Sequence, residues 1–412
     1  MNRARIFPAQ WTLACAVLDA VLREHRAADR LLQAAFRERR AMGGRDRARV
    51  TELVYGSLRD LRRLQRIAGG TDAATICALQ ALDSGMSDAD GLARLGVAQA
   101  PALAARLADF DPSTLTAAER DNVPDAIHAA WVERLGVDET AALAAALRQQ
   151  APVDLRVNAL KCTRAQAIEA LAAANLSATP TPLAPLGLRL AERAALTSLP
   201  AYRDGWIEPQ DEGSQLLALL VAARPGERIA DWCAGAGGKT LALAASMQDR
   251  GELWALDADA RRLQRMLPRL GRAGVRCVRL GGVDAVPADL CFDAILVDAP
   301  CSATGTWRRQ PEARLKALDL PALARLQAQI LAQAARHVRP GGRLVYATCS
   351  LLAEENEQVV RAFVSEHRQF EPMNAGDLLR VQGVDLPGEC LRLWPQRHGT
   401  DGFFGACLRR CG

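Results

Sequence analysis

Two cysteines of the 412-residue chain sit in settings that suit chemistry better than packing. In "DAILVDAPCSATGTWRRQPE", residues 293–312, an apolar run ends in Asp298, and Cys301 follows three positions later. In "GGRLVYATCS" a second apolar run ends in Cys349. Short apolar runs rich in Val, Ile and Leu and bounded by Gly and Pro read as buried strands. A strand that carries a carboxylate and a thiol to its end offers them to a ligand. A thiol has no use against a nucleophilic exocyclic amine. It suits carbon 5 of a pyrimidine, which is not nucleophilic. A thiolate adding to carbon 6 turns the ring into an enamine, and carbon 5 can then attack a methyl sulfonium. A carboxyl group near ring N3 and the exocyclic amine would stabilise that adduct. Cys301 taken alone can also be an inert buried thiol. Two thiols and one acid on neighbouring strand ends are hard to explain structurally.

A place for a methyl donor lies upstream. "RIADWCAGAGGKT" reads as strand, glycine turn and helix. Gly235, Gly237 and Gly238 let the backbone approach a ligand, and the following helix presents free amides. The GxxxxGK spacing of a Walker loop is missing. Asp257 ends the next strand, "LWALD", where an acid can bind the two ribose hydroxyls of an adenosine. Asp284 in "GGVDAV" follows the third strand and can reach the adenine. Either aspartate alone reads equally well as a helix N-cap. Three successive strand ends together favour a nucleoside cofactor.

The elements that position these residues alternate. Strands are expected at "RIADWC", "ELWALD", "RCVRL", "DAILVD" and "RLVYATC". Helices are expected between them at "GKTLALAASMQ", "DADARRLQRMLPRLGRAG", "PALARLQAQILAQAARHV" and "AEENEQVVRAFVSEH". Alternating β and α implies a mostly parallel, doubly wound sheet. The tail "CLRLWPQRHGTDGFFGACLRR" reads as a closing hairpin with an antiparallel strand. Before this, residues 143–212 read as a small α/β segment, with strands at "PVDLRVN", "GLRLAE" and "GWIEPQ" and a capping box at Thr163–Gln166. Residues 1–142 read as all-helical, with Val50, Leu53, Val54 and Leu61 as a core stripe. The catalytic domain is expected over 213–412.

Half the residues are apolar and 24% charged, an ordinary globular balance. No apolar run approaches a membrane span, and the stretch after Arg3 and Arg5 reads as no signal peptide. The eleven cysteines lack zinc or disulfide spacing, which points to a reducing cytoplasm and no metal. Residues 1–70 carry 15 Arg against 7 acids, a net of +8, and residues 71–142 carry 4 Arg against 12 acids, a net of −8. The basic segment reads as a phosphate-facing surface or a solvated helical face. Arg45, Arg47, Arg49, Arg59, Arg62 and Arg63 are its candidate phosphate contacts. Lysine occurs only at 161, 239 and 316, so its placement inside the glycine motif at Lys239 stands out.

The motifs "DAPCSATGTWRRQPE", "GGRLVYATCSLLAEENEQVV", "CAGAGGKT" and "HGTDGFF" resemble the bacterial members of the Nop/Sun family of RNA cytosine-5 methyltransferases. "VTELVYGSLRDLRRL" is similar to the NusB-like RNA-binding domain carried by rRNA-methylating members, and "LRVNALK" to their small RNA-binding subdomain. The resemblance covers nearly the whole chain. It implies a Rossmann-like catalytic domain and S-adenosylmethionine as cofactor. Cofactor contacts would fall on Cys233, Ala234, Gly235, Ala236, Gly237, Gly238 and Lys239, with Asp257, Asp284 and Asp298. It also implies Cys349 as nucleophile, Cys301 as the group that assists product release, and Lys239 with Asp298 on the target base. Arg308 and Arg309 would face phosphate or cofactor, or simply solvent. The family's glycine loop has Pro where Ala236 stands, which alters loop stiffness more than chemistry. The implied activity is methylation of carbon 5 of a cytosine in RNA, small-subunit rRNA foremost, by a cytoplasmic monomer. A tRNA substrate, or a silent assembly factor that kept a dead methylase domain, are the alternatives. A DNA methylase would need a long target-recognition insert that the C-terminal half lacks.

Overall fold

The computed structural model describes residues 6–412; Arg3 and Arg5 lie outside them. The chain forms two compact units. One holds the residues up to Gln150 together with Thr306–Leu318, and the other holds Ala151–Gly305 with Asp319–Gly412.

The first unit is helical. Helices Pro8–Glu24, Gly44–Arg59, Leu61–Ala68 and Ala73–Asp83 enclose a core that includes Leu18, Leu53, Val54, Leu64 and Ile76. Val50, Leu53, Val54 and Leu61 are all buried, as an i, i+3, i+4 stripe requires. The run through residue 68 reads as continuous helix in sequence but breaks at Asp60, whose φ of −129° leaves the helical region. Much of the acidic charge is engaged inside the unit. Asp72 and Asp88 cap helices through the N–H groups of Thr75 and Gly91. Asp125 pairs with Arg62 at 3.1 Å, and Asp60 and Asp83 both pair with Arg63. Arg62 and Arg63 are therefore committed to carboxylates, whereas Arg45 is exposed.

The segment Thr306–Leu318 is packed as part of this unit. Trp307 is wholly buried, its ring centroid 5.5 Å from that of Trp131. Arg314 lies over Trp307 and donates to the Asn122 carbonyl at 2.8 Å, and Glu312 accepts from the Ala28 N–H at 2.9 Å. Arg308 is buried too, so the Arg308–Arg309 pair is not simply solvated.

The second unit holds two sheets. Strands β1 (Val153–Val157), β2 (Ala178–Pro180), β3 (Gly187–Leu190) and β4 (Ile207–Pro209) form a small antiparallel sheet in the order β2-β3-β1-β4. Its helix Arg164–Ala173 opens on the Thr163 capping box. The large sheet comprises β5 (Arg228–Asp231), β6 (Glu252–Leu256), β7 (Val278–Gly281), β8 (Phe292–Asp298), β9 (Val338–Thr348), β10 (Phe370–Met373), β11 (Leu391–Leu393) and β12 (Phe403–Arg410). Its order is β10-β12-β9-β8-β5-β6-β7, with β11 on β12. β5 to β9 are mutually parallel and β12 runs antiparallel to β9. Ile229, Leu253, Ile295, Leu296, Val297, Leu344 and Val345 are fully buried, which is why these strands read as continuous apolar runs. The expected long helix after β6 is two, Ala260–Gln264 and Leu267–Ala273, because Pro268 supplies no amide to continue the first. The chain leaves β5 towards β6 and β7, then returns to β8 on the other side. The crevice between β5 and β8 is thus the topological switch point where open α/β sheets take ligands.

Candidate active site at the strand ends

The glycine loop leaves β5 at the switch point. Gly235 and Gly237 have φ of +57° and +87°, which a side chain would strain, and a Cβ at Gly237 would stand 2.4 Å from Met266. The helix Gly238–Ser246 then starts with its first amides unbonded within the helix. Cys233 lies half-buried in this loop; burial, with Asp231 and Asp298 nearby, pushes its thiol up to about 12, so it stays neutral. Ala234 donates to the Leu256 carbonyl at 2.8 Å and Ala236 accepts from Arg269, ties that fix the loop against β6 and its helix.

Asp257 follows β6 and is 6% exposed. Its carboxylate accepts the Gly235 N–H at 2.8 Å and the Asp259 N–H at 2.9 Å, and Arg262 stands 3.2 Å away. A carboxylate has about four acceptor positions, so capacity remains for hydroxyl donors. Asp284 is exposed on a short turn after β7, and no hydrogen bond or ion pair among the described residues engages its carboxylate. The structure therefore joins Asp257 to the glycine loop and leaves Asp284 apart. Asp231, at the end of β5, was not singled out by sequence because it reads as the last residue of a buried strand. It is wholly buried, accepts Thr240 Oγ1 at 2.7 Å on one oxygen, and has no partner for the other. Burial, with Asp298 adding to it and Lys239 opposing, raises its carboxyl to about 7. An orphaned buried carboxylate oxygen beside a glycine loop fits a ligand that brings a cationic group.

On the other side of the switch point, Asp298 ends β8 and pairs with Lys239 at 2.7 Å. Burial alone would pull the Lys239 ammonium down; the Asp298 carboxylate outweighs it, and the pKa is raised. Phe403, from the "DGFF" stretch, sets its ring centroid 5.9 Å from the ammonium. β8 and β9 pair directly, Asp298 opposite Ala347, and the following loops bring Cys301 Sγ and Cys349 Sγ within 3.4 Å. The hydrogen bond to Cys301 and then burial raise the Cys349 thiol well above its ordinary value, with Lys239 pulling the other way. Cys349 is a neutral thiol at rest, and it needs a base or a cation to ionise. The turn after Cys301 runs through Ala303 at φ +57°, a strained value for alanine, and Gly305, whose N–H donates to the Cys349 carbonyl at 2.9 Å. Gly305 also abuts Gly402, where any Cβ would meet the Gly402 carbonyl at 2.2 Å. Among the described residues no group of His, Cys, Asp or Glu is arranged to hold a metal, and no helix is long and apolar enough to cross a membrane.

The arrangement can accept a nucleoside cofactor on one side of the switch point and present a thiol pair with a lysine–carboxylate pair on the other. Comparison with known proteins gives the family. The family described as 16S rRNA methyltransferase RsmB/F matches residues 218–409, and the RsmF/B-like ferredoxin-like domain matches residues 123–197. The ribosomal RNA small subunit methyltransferase B of Erwinia tasmaniensis is 31% identical over 96% of this chain and 97% of its own length. The protein of the same name from Salmonella typhi is 38% identical over 63% of this chain and 60% of its own. Among solved structures, a methyltransferase homolog protein from Pyrococcus horikoshii is 30% identical, with a TM-score of 0.63 over 73% of this chain and 100% of that one. Another, 24% identical, superposes over 99% of this chain with a TM-score of 0.80, which shows the fold.

Proposed function

Because the chain belongs to the 16S rRNA methyltransferase RsmB/F family and is thereby an RNA methyltransferase, we propose that it methylates carbon 5 of a cytosine in small-subunit rRNA through a covalent thiol adduct, with S-adenosylmethionine as donor. The observation that carries this reading is the thiol pair, 3.4 Å apart at the ends of adjacent parallel strands, beside the Lys239–Asp298 pair. An amine or ribose methylase has no use for two such thiols.

The residues present fit the cofactor. Cys233–Lys239 would hold it through backbone amides and close approach, Asp257 would take its ribose hydroxyls, and the orphaned Asp231 oxygen would receive its ammonium group. Asp284 would reach the adenine from its exposed turn. When bound, the cofactor supplies an electrophilic methyl group on sulfur.

On the base side, Cys349 adds through sulfur to carbon 6 of the cytosine. Its proton is given up as the bond forms, and the ring gains one at N3, where Asp298 holds it with Lys239 fixing the carboxylate. Lys239 also favours the thiolate of Cys349 at the moment of attack, the direction in which it already acts on that thiol. Carbon 5, made nucleophilic by the Cys349 adduct, would be the atom that accepts a methyl group. Cys301, having given its own proton to solvent, takes the carbon 5 proton as a thiolate; the carbon 6–sulfur bond breaks with its electron pair on sulfur, and the N3 proton passes to that sulfur, which returns both thiols and leaves one proton released overall. The helical unit would hold RNA, with exposed arginines such as Arg45 better placed for phosphate than Arg62 and Arg63, which pair internally.

The test is methyl transfer from labelled cofactor to unmodified total RNA, with bisulfite sequencing of rRNA from cells with and without the protein. One protected cytosine in small-subunit rRNA that vanishes with the gene is expected. Label in tRNA alone, or no label, sinks the substrate or the activity respectively.

A further inference from the structure

Each thiol is followed by a serine, and both serines point at one buried carboxylate. Glu355 is 0% exposed and has no ion pair among the described residues. Its Oε1 accepts the Ser302 N–H at 2.8 Å and Gln327 Nε2 at 3.0 Å. Its Oε2 accepts the hydroxyls of Ser302 and Ser350. Four donors fill the acceptor capacity of a carboxylate. Burying an unpaired carboxylate costs several kcal/mol unless its oxygens are fully bonded, so a fold that keeps one there uses it for position. The two hydroxyls also lie 3.1 Å apart, and Gln327 Nε2 reaches the Pro300 carbonyl at 3.0 Å. Tyr346, on β9, donates to the Glu355 carbonyl at 2.6 Å. The loop Pro300–Ser302 and the loop Cys349–Ser350 are thus tied to the same side chain, one bond removed from each sulfur-bearing residue.

We propose that Glu355 is a positioning residue that fixes the two thiol loops against each other, so that Cys349 and Cys301 act on the same ring in turn. The inference rests on the covalent reading above and assigns Glu355 no contact with substrate. Two proportions follow. Adduct formation needs Cys349 alone, whereas release needs Cys301 held at a fixed offset from it. Loosening the clamp therefore slows release more than attack.

The experiment compares multiple turnover on unmodified RNA with covalent trapping on 5-fluorocytosine RNA, where fluorine replaces the proton that Cys301 must remove and release is blocked. Glu355→Gln keeps the volume but puts an amide against donors. It should lower turnover at least tenfold more than the rate of trapping, and should accumulate adduct on unmodified RNA. Ser302→Ala keeps the carboxylate and severs one hydroxyl link; it should shift the same ratio in the same direction, and it serves if Glu355→Gln fails to fold. Turnover and trapping that fall in equal proportion in the folded variants overturn the clamp. A wild-type enzyme that traps no 5-fluorocytosine RNA overturns the cytosine reading itself and the inference with it.

Discussion

Along the carboxyl edge of the large sheet, the β5–β7 half and the β8–β9 half present different kinds of group. The β5–β7 half offers backbone: two glycines at positive φ, a helix start, and Asp257, which spends one acceptor position on a glycine-loop amide and one on an amide of its own loop. The β8–β9 half offers side chains: Asp298 at the end of β8, and Cys301 and Cys349 on loops that a buried polar network holds in place. A backbone site recognises a constant ligand and gains little from side-chain chemistry. A reactive site needs groups whose protonation changes, so it needs side chains and something rigid behind them. Substitutions on the first half should therefore read out in cofactor affinity, and those on the second in turnover.

The thiols give the largest contrast. Cys349→Ala should abolish methylation and trap no RNA, while Cys301→Ala should accumulate a covalent protein–RNA adduct, seen as a slow band on a denaturing gel. Both should bind cofactor as the parent does. An adduct with the first variant and none with the second reverses the assignment of roles.

Lys239 blurs the boundary between the halves in a way that can be measured. Its sequence position is in the glycine loop's helix, but its ammonium pairs with Asp298. Lys239→Met removes the cation paired with Asp298 and a charge that favours the Cys349 thiolate. Turnover should fall roughly 10²-fold or more, with cofactor affinity, followed by calorimetry, nearly unchanged. A loss confined to cofactor affinity would place Lys239 on the other side of the comparison.

What was legible in the sequence follows the same division. The glycine loop, Asp257 and the two thiols could be read because each stands at the end of an apolar run, and the end of a run is visible without coordinates. The adjacency of Cys301 and Cys349 depended on β8 pairing with β9, which alternation of strands and helices favours, and the sheet order supplies it. Glu355 was not legible, because an acid just before a helix reads as a dipole-favoured residue of its first turn. Asp231 was hidden in its own strand. Residues 306–318 follow the Cys301 motif without a break, so nothing in the sequence says that Trp307 and Arg314 pack with Trp131 and Asn122. The charge asymmetry of residues 1–142 was visible, but not that caps and internal pairs account for much of its acidic part. Deleting residues 1–140 to test RNA binding would also bare Trp307, so substitution of exposed arginines such as Arg45 is the cleaner route.

On the backbone half, Asp257→Ala removes the carboxylate proposed to take the ribose hydroxyls, through hydrogen bonds worth roughly 1.5–3 kcal/mol each. S-adenosylmethionine affinity should fall about 10- to 150-fold for each bond lost, with the thiol pair's reactivity towards an alkylating agent unchanged. Asp284→Ala, on an exposed carboxylate that no described residue bonds, should cost less. Unchanged affinity in Asp257→Ala would show that the loop binds by backbone alone.

The smallest effect lies at the seam, on Asp231. Burial raises its carboxyl to about 7, so it is protonated in the folded, ligand-free protein below that pH and ionised above it. The sign for stability follows from linkage. A raised folded pKa means that the native state binds the proton more tightly than the unfolded chain, whose carboxyl titrates near 3.8. That contribution is fully present below about 3.8 and is lost as pH rises through about 7. Ligand-free melting temperature should therefore decline over this window on account of Asp231, and Asp231→Asn should flatten that decline. Cofactor affinity should run the opposite way, rising as pH passes through about 7, because a cationic group opposite the orphaned oxygen favours the carboxylate. In Asp231→Asn the affinity should be a few-fold lower and flat with pH. If wild-type affinity is already flat between pH 5.5 and 8, the ammonium group sits elsewhere, and Asp231 has no part in holding the cofactor.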